Sequence, residues 1–150
     1  MRADVGSFFM SQSGHHTLPA HRQLAALCYR KGPTGREVLL VTSSTGRWIL
    51  PKGWPMGGKK PAEAALIEAW EEGGVKKGKV ARTPIGSFVG TKITPSGDEE
   101  PCRTDVYAVK VEKTVADYPE AQRRDRIWVS PRVAADMVHE DGLREILLRF

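Results

Sequence analysis

No stretch of this 150-residue chain approaches the roughly 20 consecutive apolar residues that a bilayer span requires, which excludes a membrane-spanning helix. The opening segment, MRADVGSFFMSQSGHHTLPA, lacks the continuous apolar core of a secretory signal, so a cytoplasmic protein is expected. Cysteine is scarce. Cys28 and Cys102 stand in no metal-binding spacing, and each sits in a strand-like stretch that predicts a buried thiol. Zinc-finger spacing and an RNP-like aromatic motif are both missing, which argues against a nucleic-acid partner. Internal repeats and linkers are missing too. One domain over residues 21–150 is expected, preceded by a polar, mobile arm over residues 1–20. His15 and His16 in that arm are too few to argue for a metal site.

What is present is an ordinary soluble composition, 40% apolar and 27% charged, long enough for one real core. The net charge of +5 fits an anionic ligand without requiring one. The cations gather at Lys52, Lys59 and Lys60, at Lys76, Lys77 and Lys79, and at Arg123, Arg124 and Arg126. RQLAALCYR (22–30) and EVLLVT (37–42) read as strands joined by a Gly/Pro turn. A short strand over 48–50 follows the turn SSTGRW, and a helix runs from Pro61 to Glu72, stopped by Gly73 and Gly74. TPIGSFVGTKI and RTDVYAVKV read as strands flanking the acidic turn TPSGDEEP. DRIWVS is a further strand, SPRVAADMV opens a helix capped by Ser130, and DGLREILLRF is a closing helix. Strands, helix, strands, helix predict a mixed α/β (α+β) fold with the first helix packed on a sheet.

The loop PKGWPMGGKK and the helix after it carry the chemistry. Glu68, Glu71 and Glu72 fall at i, i+3 and i+4 and share a helix face, with Ala64 and Ala65 one turn earlier leaving space above them. Ala62, Leu66, Ala69 and Gly73 form a second, small apolar face expected to lie against the sheet. Three carboxylates near a helix C-terminus repel one another and oppose the macrodipole, so something must offset them. Mg²⁺ or Mn²⁺ would do so, bound on one side and shared with substrate phosphates; a solvated acidic face neutralised by nearby lysines is the alternative. The glycine-rich loop can present backbone carbonyls to a metal, and Lys52, Lys59 and Lys60 can hold phosphate oxygens.

Residues Gly53 to Val75 resemble the signature of the Nudix hydrolase superfamily: Gly, five residues, Glu, seven residues, Arg-Glu-apolar-any-Glu-Glu-any-Gly-apolar. Gly53, Glu68, Glu71, Glu72, Gly74 and Val75 occupy motif positions. Two positions depart, with Lys59 in place of the first Glu and Ile67 in place of the Arg. We read these as a charge pair lost together, which leaves no stranded charge but alters the shell that orients the cluster. AALCYR, WILPKGWPMGGKKPAEAA and YPEAQRRDRIWVSPRVAA further resemble the branch that holds diphosphoinositol polyphosphate and diadenosine polyphosphate hydrolases.

The resemblance implies a Nudix-type α/β/α sandwich with a mixed central sheet and the catalytic loop–helix packed on it. It implies metal-dependent hydrolysis of a pyrophosphate bond in a nucleoside diphosphate linked to a second group. Glu68 and Glu72 are the expected metal ligands, with Glu71 as a third or acting through water, and the Gly53 carbonyl contributing. Glu72 or Glu71 is the expected general base, while Asp98, Glu99 and Glu100 read as a solvated hairpin that could also swing in. From charge alone, Lys52, Lys60, Arg103, Arg123, Arg124 and Arg126 are candidates to bind a phosphate-rich small molecule, with a surface patch of no function as the rival for the last three. Trp48 and Trp54 could stack on a base, with packing favoured for Trp48. A ligand-sensing module without turnover and a hydrolase of RNA 5′ ends are the alternatives. Sheet edges could support a homodimer.

Overall fold

The computed structural model describes residues 21–150, and the arm with His15 and His16 lies outside the described residues. β1 (His21–Gly32) and β2 (Gly35–Thr42) form the hairpin read from the sequence. β3 (Trp48–Ile49) turns back to pair antiparallel with β2, and β4 (Lys52–Gly53) lies antiparallel to β1, pairing Leu24 with Gly53 and Ala25 with Lys52. α1 (Pro61–Gly73) follows, then β5 (Val75–Val80), β6 (Gly86–Ile93), β7 (Glu99–Thr114) and β8 (Arg126–Val129). α2 (Pro131–Met137) and α3 (Asp141–Arg149) close the domain. The sheet is mixed, with the order β3-β2-β1-β7-β5; β6 pairs β7 and β8 pairs β2. β1 and β7 run parallel, and the other pairings among the described residues are antiparallel.

Side chains alternate across a strand, so one sheet carries two cores. Ala25, Leu27, Val38, Leu40 and Val106 pack under α2 and α3 with Ala134, Leu143, Ile146 and Leu147. Leu24, Ala26, Cys28, Leu39, Val41, Tyr107 and Val109 pack under α1 with Ala64, Ala65 and Ala69. This is the expected α/β/α sandwich. Both cysteine thiols are buried and unpaired, and burial pushes the pKa of each up.

Four features differ from the sequence reading. Ala64 and Ala65 leave no space above α1; both are fully buried against the sheet, so the glutamate face is turned inward. β5 was not anticipated: VKKGKV shows three lysines, and its strand form comes from antiparallel pairing with β7. β4 was likewise read as loop. β7 starts at Glu99, so only a tight turn separates it from β6, and Glu99 and Glu100 pair with Ile93 and Lys92. With Lys76, Lys77 and Lys79 along it, the β5 edge disfavours strand addition as a route to a dimer. Among the described residues no helix is long and apolar enough to cross a membrane.

Candidate active site

The segment between β3 and α1 is pinned from both sides. The Ala26 N–H donates to the Pro51 carbonyl at 2.9 Å, and β4 holds Gly53 against Leu24. Leu24 belongs to the core under α1, so Gly53 faces that helix. A Cβ at Gly53 would stand 1.9 Å from Glu68 Oε2. The carboxylate therefore rests directly on the loop backbone, and only glycine permits it.

Glu68 and Glu72 are each only 6% exposed. One turn apart, they lie close enough to influence each other's ionisation, and Glu72 Oε1 accepts from the Lys52 backbone N–H at 3.2 Å. Burial pushes the Glu68 carboxyl up to about 8, and repulsion from Glu72, Glu71 and Glu120 adds to it. Burial also raises Glu72, opposed by Arg124 and the Lys52 N–H. Burial thus disfavours ionisation of both carboxyls, and the pair together is inclined to retain a proton, with Arg124 and the Lys52 N–H favouring charge on Glu72.

Arg124 is the counter-charge. Its Nη2 lies 3.7 Å from Glu72 Oε2, its Nε donates to Glu120 Oε1 at 2.6 Å, and its Nη1 donates to the Thr42 carbonyl at 2.7 Å. With a side chain 19% exposed, it is built into the protein. Thr42 fixes the same loop, accepting from the Asp125 N–H at Oγ1 and donating its own N–H to the Asp125 carbonyl. Arg126 Nη1 donates to the Gly73 carbonyl at 2.8 Å and stacks on Tyr118 at 4.9 Å. The C-terminus of α1 lacks a basic residue of its own in its last turn, and Arg126 supplies that charge from β8. Gly74 ends the helix with φ 70°, its N–H returning to the Ala69 and Trp70 carbonyls.

The expected site residues separate into groups. Glu68, Glu72, Gly53 and the Lys52 backbone come together, and Glu71 sits half-buried beside them with its carbonyl accepting from the Glu120 N–H at 3.0 Å. The three arginines do not form one patch: Arg124 and Arg126 turn inward, and Arg123 is exposed. The Lys52 side chain shares the face of Ala25, opposite α1, where its charge reaches Cys102. Lys60 caps the far end of α1, its N–H donating to Glu63 Oε1 at 2.8 Å, about 12 Å along the axis from Glu68. Arg103 Nε donates to Asp105, which Arg22 also contacts. Asp98 accepts from Ser96 in the turn, and Glu100 pairs with His21, so neither reaches the cluster. Trp48 packs on the core under α2 and α3, whereas Trp54 is 43% exposed between Lys92 and His21. Glu120 was missed, although its i, i+4 spacing to Arg124 was a legible signal.

Among the described residues no three His, Cys, Asp or Glu side chains are gathered into a ready-made metal cage. The donor set nevertheless fits a hard divalent cation. Two buried carboxyls one turn apart both resist ionisation, a cost that a cation would offset, and the Gly53 backbone adjoins Glu68. Mg²⁺ characteristically takes one or two carboxylates and completes its shell with water and substrate phosphate.

Three comparisons bear on this geometry. The NUDIX domain family model matches residues 21–150. Diphosphoinositol polyphosphate phosphohydrolase 3-beta from Bos taurus is 35% identical over 85% of this chain and 78% of its own length. Nudix hydrolase 12, mitochondrial, from Arabidopsis thaliana is 30% identical over 76% of this chain; the match spans only 58% of that protein. Among solved structures, the C. elegans Ap4A hydrolase aligns with a TM-score of 0.64 at 18% identity, over 87% of this chain and 95% of that one. It shares the fold.

Proposed function

The chain belongs to the Nudix domain family, and on that premise we propose that it is a divalent-metal-dependent pyrophosphohydrolase acting on a phosphate-rich small molecule, most simply a dinucleoside polyphosphate or a diphosphoinositol polyphosphate. The observation that carries the reading is the buried Glu68–Glu72 pair set against the Gly53 backbone. A buried carboxylate pair with one partial counter-ion is costly unless a ligand recovers the cost. Glu68, Glu72 and the Gly53 carbonyl would hold Mg²⁺ or Mn²⁺, with Glu71 direct or through water. The cation supplies charge neutralisation of the phosphate oxygens and acidifies water.

The chain's own groups divide the remaining work. Glu72 is fastened by the Lys52 N–H and by Arg124, so it serves as an oriented ligand. Among the described residues no side chain holds the Glu71 carboxylate, which leaves Glu71 able to take a proton from the attacking water. Water attacks phosphorus in line, and the bridging oxygen of the anhydride leaves with the second phosphate. Arg103 projects from β7 on the α1 face of the sheet and is the cation we assign to substrate phosphates; Lys52, turned to the opposite face, and the exposed Lys60 and Arg123 reach only an extended substrate. Arg124 and Arg126 support the cluster from behind.

The test is turnover. The purified chain with Mg²⁺ or Mn²⁺ is incubated with diadenosine polyphosphates, inositol pyrophosphates, nucleotide sugars, ADP-ribose and nucleoside triphosphates, and products are resolved by chromatography. Turnover abolished by Glu72→Gln supports the hydrolase. Metal-dependent binding of one compound without turnover would replace it with a ligand sensor, the outcome to which Lys59 and Ile67 point.

A further inference from the structure

A second, cationic cavity lies at the opposite end of the sheet from the carboxylates. It has a volume of about 460 Å³ and is lined by Tyr29, Arg30, Lys31, Gly35, Arg36, Lys110 and Val111. That size falls within the range of small-molecule pockets. Four of the seven lining residues are cations and none is an acid. Lys31 stands seven residues along β1 from Leu24, about 23 Å from the Gly53 end. The cavity is therefore not an extension of the active site.

Strand register gathers the charge. Lys31 pairs with Arg36 across the β1–β2 hairpin, and Tyr29 pairs with Lys110 across β1 and β7. Paired residues share a sheet face, so all four side chains lie on the face that carries α3. Lys79, paired with Lys110 from the β5 edge, adds a fourth cation to that face. Some of the neighbouring positive charge is already satisfied. Arg30 is bonded to Glu37 at 3.0 Å and stacks on Trp128, Lys77 meets Glu112, and Arg36 donates to the Phe150 backbone oxygen and covers the Tyr29 and Phe150 rings. Among the described residues, Lys31, Lys79 and Lys110 have no carboxylate within ion-pair distance, although the β5–β7 edge carries Glu112 close by. Like charges brought together by register repel, and nothing in the fold requires lysine at these exposed positions. An anion carrying several charges relieves the repulsion. The recess is sized for a compact ligand, whereas a nucleic-acid strand needs a track of cations several nucleotides long.

We propose that this cavity is a second anion site, selective for a small molecule bearing several phosphates in series, with Lys31 and Lys110 as its principal phosphate contacts and Arg36 as its fixed, ring-stacked wall. The proposal does not depend on the catalytic reading.

The test is calorimetry with inorganic tripolyphosphate on the full chain, in EDTA so that no divalent cation can recruit the probe to the carboxylate end. One equivalent is expected to bind. The variant Lys31→Gln/Lys110→Gln should weaken binding by about tenfold or more, each lost cation removing a charge-assisted contact. Glu68→Gln should leave it unchanged. Both lysines are exposed at strand positions, and an unaltered circular dichroism spectrum confirms that the variant is folded. Amide shifts on titration should centre on Lys31, Gly35 and Val111. Equal affinity in the lysine variant, loss of binding in Glu68→Gln, or no binding by the unaltered chain would each overturn the proposal. So would single-stranded RNA binding through the same lysines more tightly than tripolyphosphate, which would make the surface a nucleic-acid track.

Discussion

The two helical layers cover the same sheet with opposite chemistries. Under α3 the contact is made by bulk: Leu143, Ile146 and Leu147 share a cluster with Leu27, Leu40 and Phe88, joined by Ala134 and Ala135 of α2, with no buried charge among them. Under α1 the contact is made by small residues, Ala64, Ala65 and Ala69, and two carboxylates are buried in the same layer. Small side chains bring the α1 backbone close to β4 and seat Glu68 on Gly53. One layer contributes stability, and the other accepts a stability cost to hold charge where a ligand can use it.

The widest separation between the layers should appear on comparing Glu72→Gln with Leu147→Ala. The first is expected to lower kcat by about 10²–10⁴-fold while leaving the melting temperature of the metal-free protein level or raised. The second is expected to cost about 2–5 kcal/mol by denaturant melt while sparing kcat of the folded fraction. A Glu72→Gln protein that melts well below the parent would erase the distinction.

Gly53→Ala sharpens it next. The new Cβ would displace the Glu68 carboxylate, whose tip can move without disturbing the core. Activity and Mn²⁺ affinity should fall by about 10–100-fold with little change in stability, read from paired metal titrations and thermal melts. Arg124→Lys keeps the charge but cannot reach Glu72, Glu120 and the Thr42 carbonyl together. We expect about tenfold in kcat with KM near the parental value.

The smallest effect is in pH. The Glu68 pKa rises on folding to about 8, so between its unfolded value and 8 the native state binds more protons than the unfolded chain. Stability of the metal-free protein therefore falls as pH rises through that window. Glu68→Gln should flatten the trend, and Mg²⁺ should raise the melting temperature more at pH 8 than at pH 5. A parental melting temperature that climbs with pH relative to Glu68→Gln would contradict the buried-proton account.

Much of this was legible in the sequence because the signature ties residue type to spacing. Pro61, Gly73 and Gly74 bracket α1, and Glu68, Glu71 and Glu72 fall where a helix aligns them. What escaped has physical causes. Carboxylates on a wheel read as outward-facing, and only the close approach of Gly53 shows that they point in. Arg123, Arg124 and Arg126 look like one patch in the chain, yet the loop and the start of β8 send them three ways. VKKGKV has too little apolar alternation to announce a strand, since its neighbour β7 provides the hydrogen bonds. The hairpin strands, by contrast, carry their own pattern.

The parallel pairing of β1 with β7 governs when, as well as where, the site exists. His21 to Tyr29 align with Cys102 to Lys110, partners roughly eighty residues apart in the chain. β1 must wait through the synthesis of β2, α1, β5 and β6 before its central neighbour emerges, while α1 and its carboxylates rest on the same strand. Closing that long loop is the slow, non-local step of folding. A nascent chain released before β7 holds the whole signature segment but lacks Tyr107 and Val109, the part of the surface under α1 that β7 supplies.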